Sequence, residues 1–160
     1  IQKVIGHLKL PARRFEYKGL WKSRLIVDDY AHHPSEVAAT LDAIKTGWED
    51  RRIIAVFQPH LYSRTKDFYK DFSKALSKSH INILLPIYPA REKPINGISS
   101  SLIAEQLKIK NHLQTYNCTD KNLLTELIKE KVKYNDIIVF MGAGDLYKLI
   151  KPTYEKLNAK

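Results

Sequence analysis

The chain has one cysteine, Cys118, which excludes an internal disulfide framework; one lone sulfur is no metal site either. Long apolar runs are missing as well. Ile53–Phe57 and Ile137–Met141 fall far short of the ~20 residues that a helical bilayer span requires, so no membrane partner is expected. The opening stretch Ile1–Leu10 carries Lys3, His7 and Lys9 and has no small-residue cleavage site behind an apolar segment, so no secretory signal is expected. There is no G-x-x-x-x-G-K-[ST] phosphate loop and no G-x-S-x-G nucleophile elbow, which removes the common serine hydrolase arrangement. His32, His33 and His60 invite a zinc reading, but adjacent histidines point in different directions. No His pair at i, i+4 and no Cys pair supports them, so metal ligation is not expected. Internal repeats and low-complexity tracts are absent.

What is present suits one soluble core. A chain of 160 residues, 44% hydrophobic and 28% charged, is long enough for one domain and short for two. Its net charge of +10 makes an anionic partner plausible, whether nucleic acid, a phosphorylated small molecule or an acidic surface. Much of that excess is dispersed along helix faces: Lys66, Lys70 and Lys74 lie at helical spacing opposite an apolar stripe. A basic nucleic-acid-binding module is the competing class, but no nucleic-acid motif accompanies the charge, and no nucleic-acid partner is expected.

Short β-branched runs alternate with segments of helical period. Strands are expected at Leu25–Val27, Ile53–Phe57, Ile81–Leu85, Leu113–Tyr116 and Ile137–Met141, several nearly continuous in apolar character, as strands covered on both faces are. Helical stripes run through Val37, Leu41, Ile44 and Trp48; through Phe68, Phe72 and Leu76; through Leu124, Leu127, Ile128 and Val132; and through Leu146, Ile150 and Leu157. Pro34 fits a first helical turn, where its missing N–H has no partner to lose. Ser63 is placed to cap the next helix and Asp67 to favour its positive end. Phe15–Gly19 and Trp21–Val27 are expected to pair as a hairpin. The whole predicts an α/β fold: a Rossmann-like open, mostly parallel sheet with helices on both faces and an antiparallel edge strand. Pro86–Ser101 is long for a connection in such a fold, and loops of that length are commonly functional.

Ligands of open parallel sheets bind beyond the carboxyl ends of the strands, and the unusual residues gather there. Asp28-Asp29-Tyr30-Ala31-His32-His33-Pro34 follows one strand and Gln58-Pro59-His60-Leu61-Tyr62-Ser63-Arg64-Thr65 the next. Tyr88-Pro89-Ala90-Arg91-Glu92 and Met141-Gly142-Ala143-Gly144-Asp145 follow two more. Singly, each has an ordinary reading: Asp29 caps a turn, a histidine sits in a loop. Gly142-Ala143-Gly144 could bring backbone N–H groups close to a phosphate or carboxylate, although Tyr147 stands where a dinucleotide fingerprint has its third glycine. Arg64, in the first turn of a helix, can grip a carboxylate through two parallel hydrogen bonds, with His60 beside it.

Together these motifs, in order from about Arg13 to the C-terminus, resemble the C-terminal domain of the Mur ligase family. Within it they resemble the members that join L-alanine to UDP-N-acetylmuramate in peptidoglycan synthesis. The double-histidine loop is shared with murein tripeptide recycling members, whereas the Gln-Pro-His…Ser-Arg-Thr loop favours the alanine-adding ones. The resemblance implies an ATP-dependent acid–amino-acid ligase of the bacterial cytoplasm, of which this chain is a fragment. It uses ATP and Mg2+ in the complete enzyme, through an acyl phosphate, and works with N-terminal and central domains that bind the UDP-sugar and the phosphates. It implies nucleotide contacts at Arg14, Asp29, Tyr30 and His32, with Asp29 accepting from the ribose hydroxyls. It implies substrate contacts at His60 and Arg64, and it places Gly144 beside them; no catalytic or metal role falls to this domain alone. Leu61 and Arg91 depart from the arginine and glycine common at their places. Residues 1–12 are expected to be an interdomain connection and 13–160 the domain.

Overall fold

The computed structural model describes residues 13–110, 112 and 114–158; the expected interdomain connection and Leu113 lie outside them. The strands are β1 (Glu16–Trp21), β2 (Arg24–Asp29), β3 (Ile53–Phe57), β4 (Ile81–Leu84), β5 (Thr115–Asn117) and β6 (Ile137–Met141). The helices are α1 (Pro34–Gly47), α2 (Tyr62–Leu76), α3 (Ser101–Ile109), α4 (Leu124–Lys131), entered through a 3-10 turn at Lys121–Leu123, and α5 (Tyr147–Asn158). The sheet order is β1-β2-β6-β3-β4-β5. Every pairing is parallel except β1 with β2, so the expected class and its antiparallel edge are both present.

Alternation along the strands builds a core on each face. Val27, Ala55, Phe57, Val139 and Met141 point toward α1, α2 and α3, where Leu41, Phe72 and Leu107 are fully buried. Ile26, Ile54, Val56, Ile138 and Phe140 point toward α4 and α5 and pack with Ile128 and Ile150. β3 and β6 are buried at every position, which is why their sequences show no polar alternation. The chain steps outward from β3 to β5 under one layer of helices and then returns through β6 to the centre, between β2 and β3. The carboxyl ends of β2, β6 and β3 therefore open side by side. Among the described residues no helix is long and apolar enough to cross a membrane.

Several local expectations need correction. The hairpin turns at Lys22-Ser23, between the paired Trp21 and Arg24, with φ of 44° and 71° at the turn residues. A two-residue turn with both φ positive matches the twist of paired strands; neither residue is the glycine or asparagine that would have signalled it. Ser63 does not cap α2. Leu61 holds the cap position with no side-chain bond, and Ser63 lies inside the first turn, donating its N–H to Glu92 at 3.0 Å. Asp67 falls beyond that turn, which contains no acidic residue. Trp48 stands just past α1 as its C-cap rather than on it. Helix α3 was not anticipated: its buried face is only Ile103, Ala104 and Leu107, too short a stripe to stand out. α1 begins as expected at Pro34, but the capping acceptor is the His33 ring, and Glu36 returns its carboxylate to the His33 N–H at 3.0 Å, a reciprocal capping box.

Candidate functional site

The loop leaving β2 is organised by Asp29. Its Oδ2 accepts the N–H of Phe15 at 2.9 Å and its Oδ1 the N–H of Ala31 at 2.7 Å. The carboxylate thereby ties the segment entering β1 to the loop that carries Tyr30 and His32. Burial pushes the Asp29 carboxyl upward in pKa, against the hydrogen bonds from Ala31 and Phe15 and the nearby Thr40 hydroxyl. A hollow of about 480 Å³ opens beside it, lined by Arg14, Phe15, Asp29, Tyr30, His32 and Thr40. Arg14 is exposed at its mouth. Arg13, not singled out in the sequence, lies behind: its guanidinium stacks at 4.9 Å from the Tyr30 ring and 4.6 Å from the Tyr147 ring. It donates to the Gly142 carbonyl at 2.5 Å. Only its place beside Arg14 in a basic pair could have drawn attention to it.

His32 joins this hollow to a second cluster. Its Nδ1 lies 3.0 Å from the Tyr30 carbonyl, an acceptor, so Nδ1 carries the proton and Nε2 is left as the other ring nitrogen. Its ring is 6.0 Å from that of His60, which stacks on Tyr88 at 5.6 Å. His60 Nδ1 and Arg64 Nη1 are both buried atoms without a hydrogen-bond partner among the described residues. Burial lowers the His60 pKa, and the nearby positive charges of Arg64 and His32 lower it further. A buried polar atom without a partner is costly, and such cost is commonly tolerated where a ligand completes the bonds.

The backbone here is held by unusual means. Leu61 has φ of 72°, outside the range a leucine adopts readily, and its N–H donates to Tyr88 at 2.9 Å while Tyr88 donates back to Pro59 at 2.8 Å. The glycine-rich loop after β6 packs against the same residues. A Cβ on Gly144 would lie 2.5 Å from Tyr88 Cγ and 2.6 Å from Gln58 Oε1, so the glycine is required for close approach. The Gly142 N–H donates to the Asp29 carbonyl at 3.1 Å, and Leu146 N–H donates to Gln58 Oε1 at 3.1 Å. Two donors of that loop are thus used internally. Gln58, fully buried, donates to Asp145 at 2.9 Å, and Lys121 reaches the same oxygen at 2.6 Å.

The structure therefore brings Arg14, Asp29, Tyr30, His32, His60, Arg64 and Gly144 to one rim, along the hollow and the adjoining His60–Arg64 cluster. Glu92, quoted in the sequence motif but given no role, proves to be bonded to the first turn of α2. Among the described residues no group of three His, Cys, Asp or Glu side chains could hold a metal ion.

Residues 13–144 match the family described as Mur ligase, glutamate ligase domain. The chain is 48% identical over 171 aligned residues to a UDP-N-acetylmuramate–L-alanine ligase of Prochlorococcus marinus strain NATL1A, covering 100% of this chain and 35% of that protein. The crystal structure of a UDP-N-acetylmuramate-alanine ligase from Thermotoga maritima superposes with a TM-score of 0.72 at 25% identity, covering 90% of this chain and 29% of that one. A murein peptide ligase from Psychrobacter arcticus has the same fold, with a TM-score of 0.78 at 20% identity over 99% of this chain and 32% of that one. The chain spans about a third of the length of the curated relatives it matches. By the extent of the family match and the order of its motifs, this chain belongs to the Mur ligase family, as its C-terminal domain.

Proposed function

We propose that this domain serves an ATP-dependent ligase that joins L-alanine to UDP-N-acetylmuramate in the bacterial cytoplasm, closing over ligands held partly by preceding domains. The Mur ligase family is ATP-dependent. In the proposed reaction the lactyl carboxylate of the sugar takes the γ-phosphoryl group of ATP, and ADP is released. The amine of L-alanine attacks the acyl phosphate, and the tetrahedral intermediate collapses to an amide and phosphate. The chemistry needs anionic ligands held in register and water kept from the acyl phosphate.

The residues fit the nucleotide. A carboxylate offers about four lone-pair sites, and Asp29 spends one on Phe15 and one on Ala31. It keeps acceptors for the hydroxyls of a ribose placed in the hollow, with Arg14 at the mouth for phosphate and Tyr30 and His32 along the wall. His60 and Arg64 offer donors to a carboxylate, of the amino acid or of the sugar. The described residues offer no cluster for Mg2+, and its ligands are assigned to the rest of the enzyme.

The observation that carries this reading is the pair of unpartnered nitrogens, His60 Nδ1 and Arg64 Nη1, one ring away from the Asp29 hollow. The test is Arg64→Ala in the enzyme that includes the preceding domains. KM for L-alanine or UDP-N-acetylmuramate is expected to rise about tenfold or more, as loss of a charged hydrogen bond predicts, with little loss of stability. Unchanged kinetics would remove Arg64 from the site. Offering L-alanine and the murein tripeptide side by side separates the alanine-adding reading from the recycling one.

A further inference from the structure

α2 starts without the means to start itself. The first four N–H groups of any helix have no partner inside it, and a Ser, Thr, Asp or Asn at the cap usually supplies one. Here the cap is Leu61, with φ 72°, ψ 137° and no side-chain hydrogen bond, and the first turn has no acidic residue. The missing acceptor comes from the long β4–α3 loop. Glu92 Oε2 accepts the Ser63 N–H at 3.0 Å, and Glu92 Oε1 accepts the Ser63 hydroxyl. The loop is folded for this: Ala90 takes a φ of 52°, and the Glu92 N–H donates to Pro89 at 2.9 Å.

The position of this carboxylate has two consequences. It occupies the positive end of a 15-residue helix, which would otherwise attract a ligand anion itself. It also fixes the residue immediately before Arg64. Arg64 Nη1 has no hydrogen-bond partner of its own among the described residues, so its aim depends on the turn that carries it. On the other side of Leu61, His60 is held through stacking on Tyr88, an edge contact with His32, and the backbone bonds that join Tyr88 to Pro59 and Leu61.

We infer that Glu92 is a positioning residue: by capping α2 from another loop it aims Arg64, and with it His60, at the anion they bind. The inference rests on the reading of Arg64 as an anion contact. It gives Glu92 no direct contact with substrate. The carboxylate takes the Ser63 N–H out of ligand binding and leaves the guanidinium as the anion's partner.

The first test uses the 160-residue chain labelled with 15N. The Arg64 Nε–H group is expected to be ordered in the parent chain, by its heteronuclear NOE. It should become mobile in Glu92→Ala and stay ordered in Glu92→Gln, whose amide oxygen can still accept from Ser63. An ordered Arg64 in a folded Glu92→Ala chain would overturn the inference. If Glu92→Ala does not fold, Ser63→Ala, which removes only the hydroxyl bond, carries the same test. In the enzyme with its preceding domains, Glu92→Ala should raise KM for the anionic substrate about tenfold and change kcat by less than about twofold. It should add nothing on top of Arg64→Ala; an independent, additive loss overturns the inference. If Arg64→Ala itself leaves kinetics unchanged, the substrate reading of Arg64 fails, and the NMR result still decides whether Glu92 orders it.

Discussion

Asp29 and Phe15 are joined by a hydrogen bond of 2.9 Å from the Phe15 N–H to the Asp29 carboxylate, across 14 positions of sequence. The second oxygen takes the Ala31 N–H at 2.7 Å. Two readings of Asp29 were open from sequence, a turn cap and an acceptor of ribose hydroxyls. The geometry satisfies the first and leaves lone pairs for the second, so the two are not alternatives. The residue that shapes the hollow is also the residue proposed to bind in it.

That double role gives the first prediction. Asp29→Ala leaves the Phe15 and Ala31 N–H groups without their acceptor, which should lower stability by about 1–3 kcal/mol. Urea unfolding with an unchanged m-value would measure it. In the complete enzyme the same change should raise KM for ATP and leave KM for L-alanine nearly as it was. A loss of stability with KM for ATP unmoved would reduce Asp29 to a turn cap.

The second prediction concerns protonation. His60 titrates below its ordinary value because of burial first and then the charges of Arg64 and His32. A histidine with a depressed folded pKa binds more protons when unfolded. Its contribution to stability is therefore present above the unfolded value of about 6.5 and is lost as pH falls below it toward the folded value. Arg64→Ala removes one of the depressing charges, so the His60 midpoint, followed by the ring proton signal in NMR, should move upward. A midpoint indifferent to Arg64 would mean that the two side chains do not share a site.

Much of the fold was legible because burial on both faces leaves a plain signal. β3 and β6 read as continuous apolar runs, the stripes of α1, α2 and α5 each span several turns, and that of the short α4 is lengthened by Val132 at its C-cap. α3 escaped because its nine residues bury only Ile103, Ala104 and Leu107, too few to show a period. The start of α2 was placed through Ser63 by a local rule for caps, and the real cap is Glu92, 29 positions away. Local rules cannot see an acceptor that tertiary structure delivers. Arg13 is silent in the sequence for the same reason: its partners Tyr30, Gly142 and Tyr147 meet only in the folded chain. The four rim loops were legible together since parallel strands must end on one side. The reason for Gly144 was not, because close approach to Gln58 and Tyr88 leaves no mark on its neighbours in sequence.

Gly144→Ala follows from that contact. The added Cβ would sit 2.5 Å and 2.7 Å from Tyr88 Cγ and Cβ and 2.6 Å from Gln58 Oε1. Both neighbours are tethered, Gln58 by Asp145 and Leu146 and Tyr88 by the backbone bonds of the Leu61 turn. Overpacking of this kind should cost about 1–3 kcal/mol, read from urea unfolding. Tyr88 must shift to relieve it, and His60 stacks on Tyr88, so the amino-acid or sugar KM should rise along with the loss of stability. A stability loss with kinetics intact would show that the Tyr88 stack does not govern His60.

The last prediction separates stability from the site. At the opposite ends of β3 and β6, Arg52 donates Nε at 3.0 Å and Nη2 at 2.7 Å to the two oxygens of Asp136. That carboxylate is 2% exposed at the residue level, and Arg52 also donates to the Lys131 carbonyl at 3.1 Å. Removing the arginine leaves a buried charge that, among the described residues, keeps the Lys133 N–H at 2.7 Å as its hydrogen bond. Arg52→Ala should therefore destabilise the domain by about 3 kcal/mol, the scale on which a broken buried pair costs. Its site lies at the amino ends of the strands and the rim at their carboxyl ends, so KM for ATP and for L-alanine should be unchanged below the unfolding transition. This variant calibrates the others: a KM that rises in Arg52→Ala as it does in Arg64→Ala would mean that destabilisation alone moves the kinetics. The rim substitutions could then no longer be read as losses of ligand contact.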